Sequence, residues 1–146
     1  MACVFCDSDL SNRLIVESES SFAFPTNIPI VPGHVLVCPR RCVATIEGLS
    51  SKEVMDLLSL KGSVADALKR SFGATGFNYA WNEGAVAGQS VPHLHLHVVP
   101  RKEGDTGVLT YEPRHFLYRP GSREVSPDAE LVSVAQVIRS ALYPRV

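Results

Sequence analysis

Apolar residues in the first forty positions form short runs separated by polar turns. LIVE (14–17) and SFAF (21–24) are predicted to be two short strands, with a tight polar turn between them. HVLVCP (34–39) is predicted to be a third strand. The intervening NIPIVPGH (27–34) holds two prolines and a glycine, which favour a loop. This part of the chain therefore predicts the beginning of a small sheet.

The hydrophobic period changes in the middle of the chain and again near its end. Apolar residues recur at helical spacing over 51–72. Ser50 and Glu53 are spaced as a capping box at the start of this predicted helix, and Gly73 is suited to its end. A second helix is predicted over 126–143.

Two further strands are predicted between these helices, GFNYAWNEG (76–84) and HLHLHVV (93–99). The order is strands, helix, strands, helix, and the strands are joined by hairpin-like links. This order favours an α+β fold: an antiparallel sheet of about five strands, with a long helix packed on it and a C-terminal helix. The segment 102–125, rich in charged and turn-forming residues, is expected to be mostly irregular.

Composition limits the classes of partner. The chain has 146 residues, 45% of them hydrophobic and 20% charged, and a formal net charge of −1, which suits a single domain, 1–146. No basic stripe indicates nucleic-acid binding, and no apolar run reaches the length of a membrane span. The N-terminus lacks the features of a signal peptide, so a cytoplasmic location is expected.

Four cysteines, Cys3, Cys6, Cys38 and Cys42, would then lie in a reducing compartment, where disulfides are rare. The Cys-x-x-Cys spacing of the first two indicates metal or redox chemistry. Cys38, in the middle of a predicted strand, is expected in the core.

Three of the five histidines, His93, His95 and His97, stand on alternate positions. In a strand they share one face, and the intervening apolar residues share the other. This face could be a solvent-exposed edge, a metal site, or a nucleophilic imidazole with orienting partners. The glycine-bearing loop 88–91 just upstream favours the third interpretation, because such a loop can turn N–H groups toward a phosphate.

The segment 93–99 with its GQS lead-in (88–90) resembles the signature of the histidine triad superfamily. PIVPGHVLVCPRR (29–41) and the stretch from Ala87 to Asp105 are most similar to its fragile histidine triad branch, the dinucleoside polyphosphate hydrolases. The resemblance covers about residues 1–105 and leaves 106–146 as an extension with a helix. It implies a homodimer whose substrate is a purine nucleotide or dinucleoside polyphosphate.

The resemblance also implies roles for residues. His95 would attack the α-phosphorus to form a covalent nucleotidyl intermediate, and the carbonyl of His93 would orient it. His97 and His34 would donate to phosphate or bridging oxygens. The implied nucleotide-binding positions are Thr26, Asn27, Asn82, Gly88, Gln89, Ser90, Val91 and His97.

The base pocket and the cysteines complete the implied site. Phe5, Phe22, Ile28 and Leu36 are candidates for an adenine slot and equally for core. The resemblance to zinc-bearing members of the superfamily implies a structural zinc ion held by Cys3, Cys6, Cys42 and His93, a tetrahedral donor set.

Four functions remain open from the sequence. The leading one is hydrolysis of dinucleoside polyphosphates. A nucleoside phosphoramidase, a nucleotidyltransferase or phosphorylase, and a nucleotide-binding signalling protein with slow hydrolysis are the alternatives.

Overall fold

A computed structural model describes residues 3–105 and 125–143 of the chain. Most of the segment predicted to be irregular lies outside these residues. Within them the helices are α1 (Val4–Asp7), α2 (Ser51–Phe72) and α3 (Asp128–Ser140), and the strands are β1 (Val16–Glu17), β2 (Ser21–Pro25), β3 (Val35–Pro39), β4 (Gly76–Ala80) and β5 (Leu96–Arg101). Short 3₁₀ turns lie at Ser11–Arg13, Ile46–Gly48 and Ala85–Ala87.

The five strands form one open sheet in the order β1-β2-β3-β5-β4, with every neighbouring pair antiparallel. The predicted α+β architecture is therefore confirmed. Each strand lies close to its predicted position, although β1 is two residues long where four were expected. The segment 27–34 is a loop, as its prolines predict.

The prediction that the last strand begins at His93 is wrong, since β5 begins at Leu96. Val37 pairs with Leu96, and continuing this register would set Pro39 opposite Leu94. Proline has no N–H to donate to a ladder. The N–H of Leu94 donates instead to the carbonyl of Val43, at 2.7 Å. The first two histidines of the triad thus lie in an extended segment just before the strand.

Helix α2 has the ends that its sequence predicts. The Ser50 side chain accepts from the Glu53 N–H and the Glu53 side chain accepts from the Ser50 N–H, which completes the capping box. Gly73 ends the helix with a φ of 68°, a conformation that costs glycine little. Helix α3 is shorter than predicted and begins after Pro127, which serves as its N-cap. None of the helices described here is long and apolar enough to cross a membrane.

The main core lies between the sheet and the two long helices. Val35 and Val37 of β3, and Leu94, Leu96 and Val98 of the β5 segment, face α2 in this core. α3 joins it through Ala135 and Ile138. Alternation therefore turns the three histidines to the opposite face of the sheet, away from α2, as the sequence predicts.

Candidate active site

The ring of His95 is held by the backbone of the first triad histidine. Its Nδ1 lies 2.8 Å from the carbonyl oxygen of His93. A carbonyl only accepts, so Nδ1 carries the proton and Nε2 keeps a bare lone pair. Burial lowers the pKa of His95. The hydrogen bond to the carbonyl opposes this effect without restoring the usual value. His95 is therefore neutral at pH 7 and able to act as a nucleophile.

His97 and His34 form a hydrogen-bonded pair. Nδ1 of His34 accepts from the N–H of Ile30 at 3.1 Å, so its proton is on Nε2. That Nε2 lies 2.9 Å from Nδ1 of His97, which must then accept, so the proton of His97 is on Nε2. Direct donation by His34 to phosphate, as expected from the sequence, does not fit this arrangement, because its Nε2–H is used by His97.

His93 is fully buried and lies between β3 and the N-terminal cysteines. Its Nε2 donates to the carbonyl of Pro39 at 2.7 Å, so its Nδ1 has no proton. This nitrogen lies 3.3 Å from Sγ of Cys3 and 3.5 Å from Sγ of Cys6. A histidine ligand held by a carbonyl on its far nitrogen is the usual arrangement around a protein metal ion.

Cys3, Cys6, Cys42 and His93 form one cluster, hereafter the cysteine cluster. Their ligand atoms all lie within 4.8 Å of one another. Three sulfurs and one imidazole nitrogen make a soft tetrahedral donor set that suits Zn²⁺. The four residues predicted as metal ligands are thus brought together, and the cluster could hold a metal ion.

The three thiols of the cysteine cluster differ in pKa. Burial raises the pKa of Cys3, but hydrogen bonds to its sulfur, the largest of them from the Cys6 backbone, outweigh it and lower the pKa to about 7. Burial and the neighbouring thiols raise the pKa of Cys6 to about 12 and also raise that of Cys42. One thiolate near neutral pH gives a metal ion a first ligand. Cys38 is fully buried in the core, as predicted.

A cavity of about 210 Å³ opens beside His95 and His97. Its walls come from the N-terminal segment, the loop after β2, β3 and the loop before the triad. The lining residues are Val4, Phe5, Thr26, Asn27, Ile28, Leu36, Asn82, Gly88, Ser90, Val91, His95 and His97. Nearly all the predicted nucleotide-binding positions therefore surround one cavity.

Three residues of the loop 88–91, Gly88, Ser90 and Val91, line this cavity. In the described part of the chain, the N–H groups of Ser90 and Val91 make no hydrogen bond. Gly88, at the start of the loop, has a φ of 93°, a left-handed conformation that glycine adopts readily. Gln89 departs from the prediction, because its amide braces the loop by accepting from the Gly84 N–H and donating to the Ala44 carbonyl.

Two polar side chains and an aromatic group complete the walls. Thr26 is buried and its hydroxyl accepts from the Ile28 N–H at 3.3 Å. Asn82 is also buried and donates to the Gly88 carbonyl at 3.4 Å. Phe5 is edge-on to His95, with ring centroids 5.3 Å apart.

Sequence analysis missed one lining residue, and one candidate lies elsewhere. Val4 lines the cavity although its exposed side chain carries no chemical signal. Its position next to Cys3 was the available cue. Phe22, a candidate for the adenine slot, stacks on Phe24 at 5.7 Å and does not line the cavity.

Comparisons with known proteins agree with this geometry. A family model described as HIT domain matches residues 8–104. The chain is 33% identical over 116 residues to the bis(5'-adenosyl)-triphosphatase of Dictyostelium discoideum, covering 80% of this chain and 74% of the relative. It is 36% identical over 101 residues to the asymmetrical bis(5'-nucleosyl)-tetraphosphatase of Schizosaccharomyces pombe, covering 69% of this chain and 56% of the relative.

The fold matches solved structures as well. A Zn-bound histidine triad family protein from Mycobacterium smegmatis superposes with a TM-score of 0.72 at 28% identity, covering 97% of this chain and 93% of that one. The family model spans well over half of the chain, and the first of the two relatives passes 30% identity over most of it. The chain belongs to the HIT domain family.

Proposed function

We propose that this protein is a hydrolase that cleaves dinucleoside polyphosphates at the α-phosphate through a covalent nucleotidyl-His95 intermediate. In the first step Nε2 of His95 bonds to the α-phosphorus and the bond from that phosphorus to the bridging oxygen breaks. Water then attacks the same phosphorus and releases the imidazole. With diadenosine triphosphate and one water, the products are AMP and ADP.

The state of His95 is the observation that carries the proposal. Its Nδ1–H is tied to the carbonyl of His93 at 2.8 Å, and its Nε2 makes no hydrogen bond among the residues described. A neutral imidazole with one bare nitrogen beside a cavity of about 210 Å³ is suited to attack on phosphorus. The two relatives named after dinucleoside polyphosphate substrates support the substrate class.

His97 is suited to help the leaving group. Since its Nδ1 accepts from His34, its Nε2 carries the N–H, and His97 lines the cavity. Donation from this N–H to the bridging oxygen would stabilise the negative charge that develops there as the bond to phosphorus breaks. Asn82, at the same wall, would contribute an amide to the phosphate.

The remaining walls suit the rest of a nucleotide. The N–H groups of Ser90 and Val91 would bind the non-bridging oxygens of the α-phosphate, as fixed dipoles that need no reorganisation. Leu36, Ile28 and Phe5 offer an apolar surface to the base. Thr26 and Asn27, at the same side of the cavity, would face the ribose.

We also propose that the cysteine cluster binds a structural zinc ion. The cluster has three sulfurs and a bare Nδ1 within 4.8 Å of one another, and a relative with the same fold is Zn-bound by its own description. Zinc would fasten the N-terminal segment to the loop after β3, which bears Cys42, and to the start of the triad segment. It would be no part of the nucleotide chemistry.

The substitution His95→Asn tests the nucleophile. The variant should lose diadenosine triphosphate hydrolysis by at least about 1,000-fold, because no other group supplies the attacking nitrogen. It should still bind AMP, measured by calorimetry, with an affinity within a few-fold of the wild type. Turnover within tenfold of the wild type would refute the proposed role of His95.

The covalent intermediate has its own test in stereochemistry. Two successive in-line displacements retain the configuration of a chiral α-phosphorothioate, whereas a single attack by water inverts it. We expect retention. Inversion would exclude the intermediate while leaving hydrolysis itself intact.

Parallel assays separate the remaining functions. The values of kcat/KM for diadenosine triphosphate and tetraphosphate should exceed that for adenosine 5'-phosphoramidate. The reverse order would indicate a phosphoramidase. Consumption of inorganic phosphate with formation of ADP from the adenylyl group would indicate a phosphorylase. Tight nucleotide binding without turnover of any of the three would favour a signalling protein.

A further inference from the structure

The N-terminal segment belongs to two sites at once. Cys3 and Cys6 belong to the cysteine cluster, while Val4 and Phe5, the two residues between them, line the cavity beside His95. A metal ion at the cluster would therefore hold the segment on both sides of Val4 and Phe5, which form part of the cavity wall.

In the described part of the chain, α1 has few other attachments to the rest of the protein. Helix α1 is a single turn with no buried residue, and a helix of this length is not stable by itself in water. Its internal support comes from the bond of the Asp7 carboxylate to the Cys3 N–H at 2.8 Å and from backbone bonds such as Asp7 N–H to the Cys3 carbonyl, also at 2.8 Å. These bonds stabilise the turn but do not attach it to the rest of the molecule.

Among the described residues, Phe5 also joins α1 to the body of the protein. Its ring meets the ring of Phe24 edge-on at 5.4 Å between centroids. It meets His93 at 5.6 Å and His95 at 5.3 Å in the same manner. The same ring thus touches a metal ligand, the nucleophile and the core, and its side chain forms part of the surface left for a base.

We propose that Phe5 couples metal binding at the cysteine cluster to nucleotide binding in the cavity. With metal bound, α1 is fixed and Phe5 is held as a wall of the cavity. Without metal, the cysteine cluster no longer holds α1. Part of the free energy of nucleotide binding is then used to order it. The inference rests on the proposed nucleotide site and adds to it a positioning residue and a linkage between two ligands.

Linkage is reciprocal, and this property makes the inference measurable. If Zn²⁺ tightens AMP binding by a given factor, AMP must tighten Zn²⁺ binding by the same factor. We expect a factor of about tenfold, within the ordinary range for coupled sites. The AMP dissociation constant is measured by calorimetry on the zinc-loaded and the chelated protein. The Zn²⁺ constant is measured by competition with a chromophoric chelator, with and without AMP.

Phe5→Ala is the deciding variant. It keeps all four residues of the cysteine cluster. The factor by which Zn²⁺ tightens AMP binding, and the factor by which AMP tightens Zn²⁺ binding, should both fall to within about twofold of unity. Its zinc-loaded form should bind AMP about as weakly as chelated wild type. Phe5→Leu, which keeps an apolar contact with Phe24, is the second variant should the first fold poorly, and its factors should fall in the same direction.

Leu10→Ala is the matched control. Leu10 packs on the same small core as Phe5 but does not line the cavity. Its zinc-loaded form should bind AMP as the wild type does, and its coupling factor should remain.

The possible failures are distinguishable. A zinc-loaded wild type that does not bind AMP would defeat the proposed function and this inference together. AMP binding that is indifferent to Zn²⁺ would overturn the inference alone. Coupling that persists in the Phe5 variants would also overturn it, because it would then reflect general folding of a metal-free chain.

Discussion

At the scale of single residues, the histidines of the site are set by hydrogen bonds to the backbone. His34 accepts from the Ile30 N–H, and His93 and His95 each donate to a carbonyl. These bonds decide which nitrogen carries a proton, so each ring presents a defined donor or acceptor on its other side. A neutral imidazole that could exchange its tautomer would spend part of its time unable to react.

A substitution at His34 tests this tautomer control. His34→Leu removes the donor to Nδ1 of His97, so the Nε2–H of His97 is no longer enforced. We expect kcat/KM for diadenosine triphosphate to fall by about 10- to 100-fold, with a smaller change in the AMP dissociation constant.

His34→Gln is the matched variant, because its amide N–H can replace the lost donor. It should recover most of the activity lost in His34→Leu. Equal losses in the two variants, with unchanged melting temperatures, would mean that His34 acts by volume alone.

At the scale of elements, one carboxylate at the start of α2, that of Glu53, takes part in two interactions. Glu53 closes the capping box with Ser50 and also receives a two-pronged bond from Arg41, at 2.9 and 2.7 Å. Arg41 also donates to the Gly48 carbonyl at 2.6 Å. The residues that follow β3 are thereby fixed to the helix, and with them the loop that bears Cys42.

The pH dependence of stability should report on this carboxylate. The hydrogen bond from Arg41 is the main reason that the pKa of Glu53 is lowered to about 2, from an ordinary value of 4.5. Since the folded-state pKa lies below the unfolded one, Glu53 contributes stability that is present above pH 4.5 and is lost as the pH falls toward 2. Glu53→Gln should melt at a lower temperature than the wild type at pH 6, and the difference should shrink toward pH 2.

Arg41→Gln provides the control for this experiment. It removes the main cause of the low pKa of Glu53. The melting temperature of this variant should therefore depend less on pH between pH 4.5 and 2 than that of the wild type. A difference between Glu53→Gln and wild type that is equally large at pH 6 and pH 2 would contradict the assignment.

The elements show what local sequence can and cannot predict. The signals that set α2, Ser50, Glu53 and Gly73, act within a few residues, and both ends were predicted correctly. The start of β5 was not, because it depends on Pro39, more than fifty residues earlier. The roles of His34 and Gln89 were missed for the same reason, since their partners His97 and Ala44 are distant in sequence.

At the scale of the whole molecule, β4 forms one edge of the sheet in the part of the chain that the structure describes. β4 is an edge strand of five residues, and edge strands of that length usually meet a partner or are protected. Tyr79 of β4 and Trp81 just after it are 44% and 45% exposed, and Leu58 on α2 is 48% exposed. The homodimer expected from the family resemblance would cover these side chains.

Tyr79→Glu tests that expectation. Light scattering should give a mass of about twice 15.9 kDa for the wild type and about half that for the variant, because a carboxylate would be buried unpaired in the interface. Val137→Glu, a similarly exposed apolar position on α3, should leave the mass unchanged. A monomeric wild type would refute the expectation.

The bond that orients His95 comes from the main chain of residue 93, whereas the cysteines face that residue's side chain. A carbonyl oxygen is present whatever amino acid stands at the position. A substitution at position 93 could therefore replace the imidazole and remove the metal site. The ring of His95 would still be held in its orientation by the carbonyl. In this fold the ability to react and the ability to hold metal can be gained or lost in separate mutational events, even though they meet at one residue.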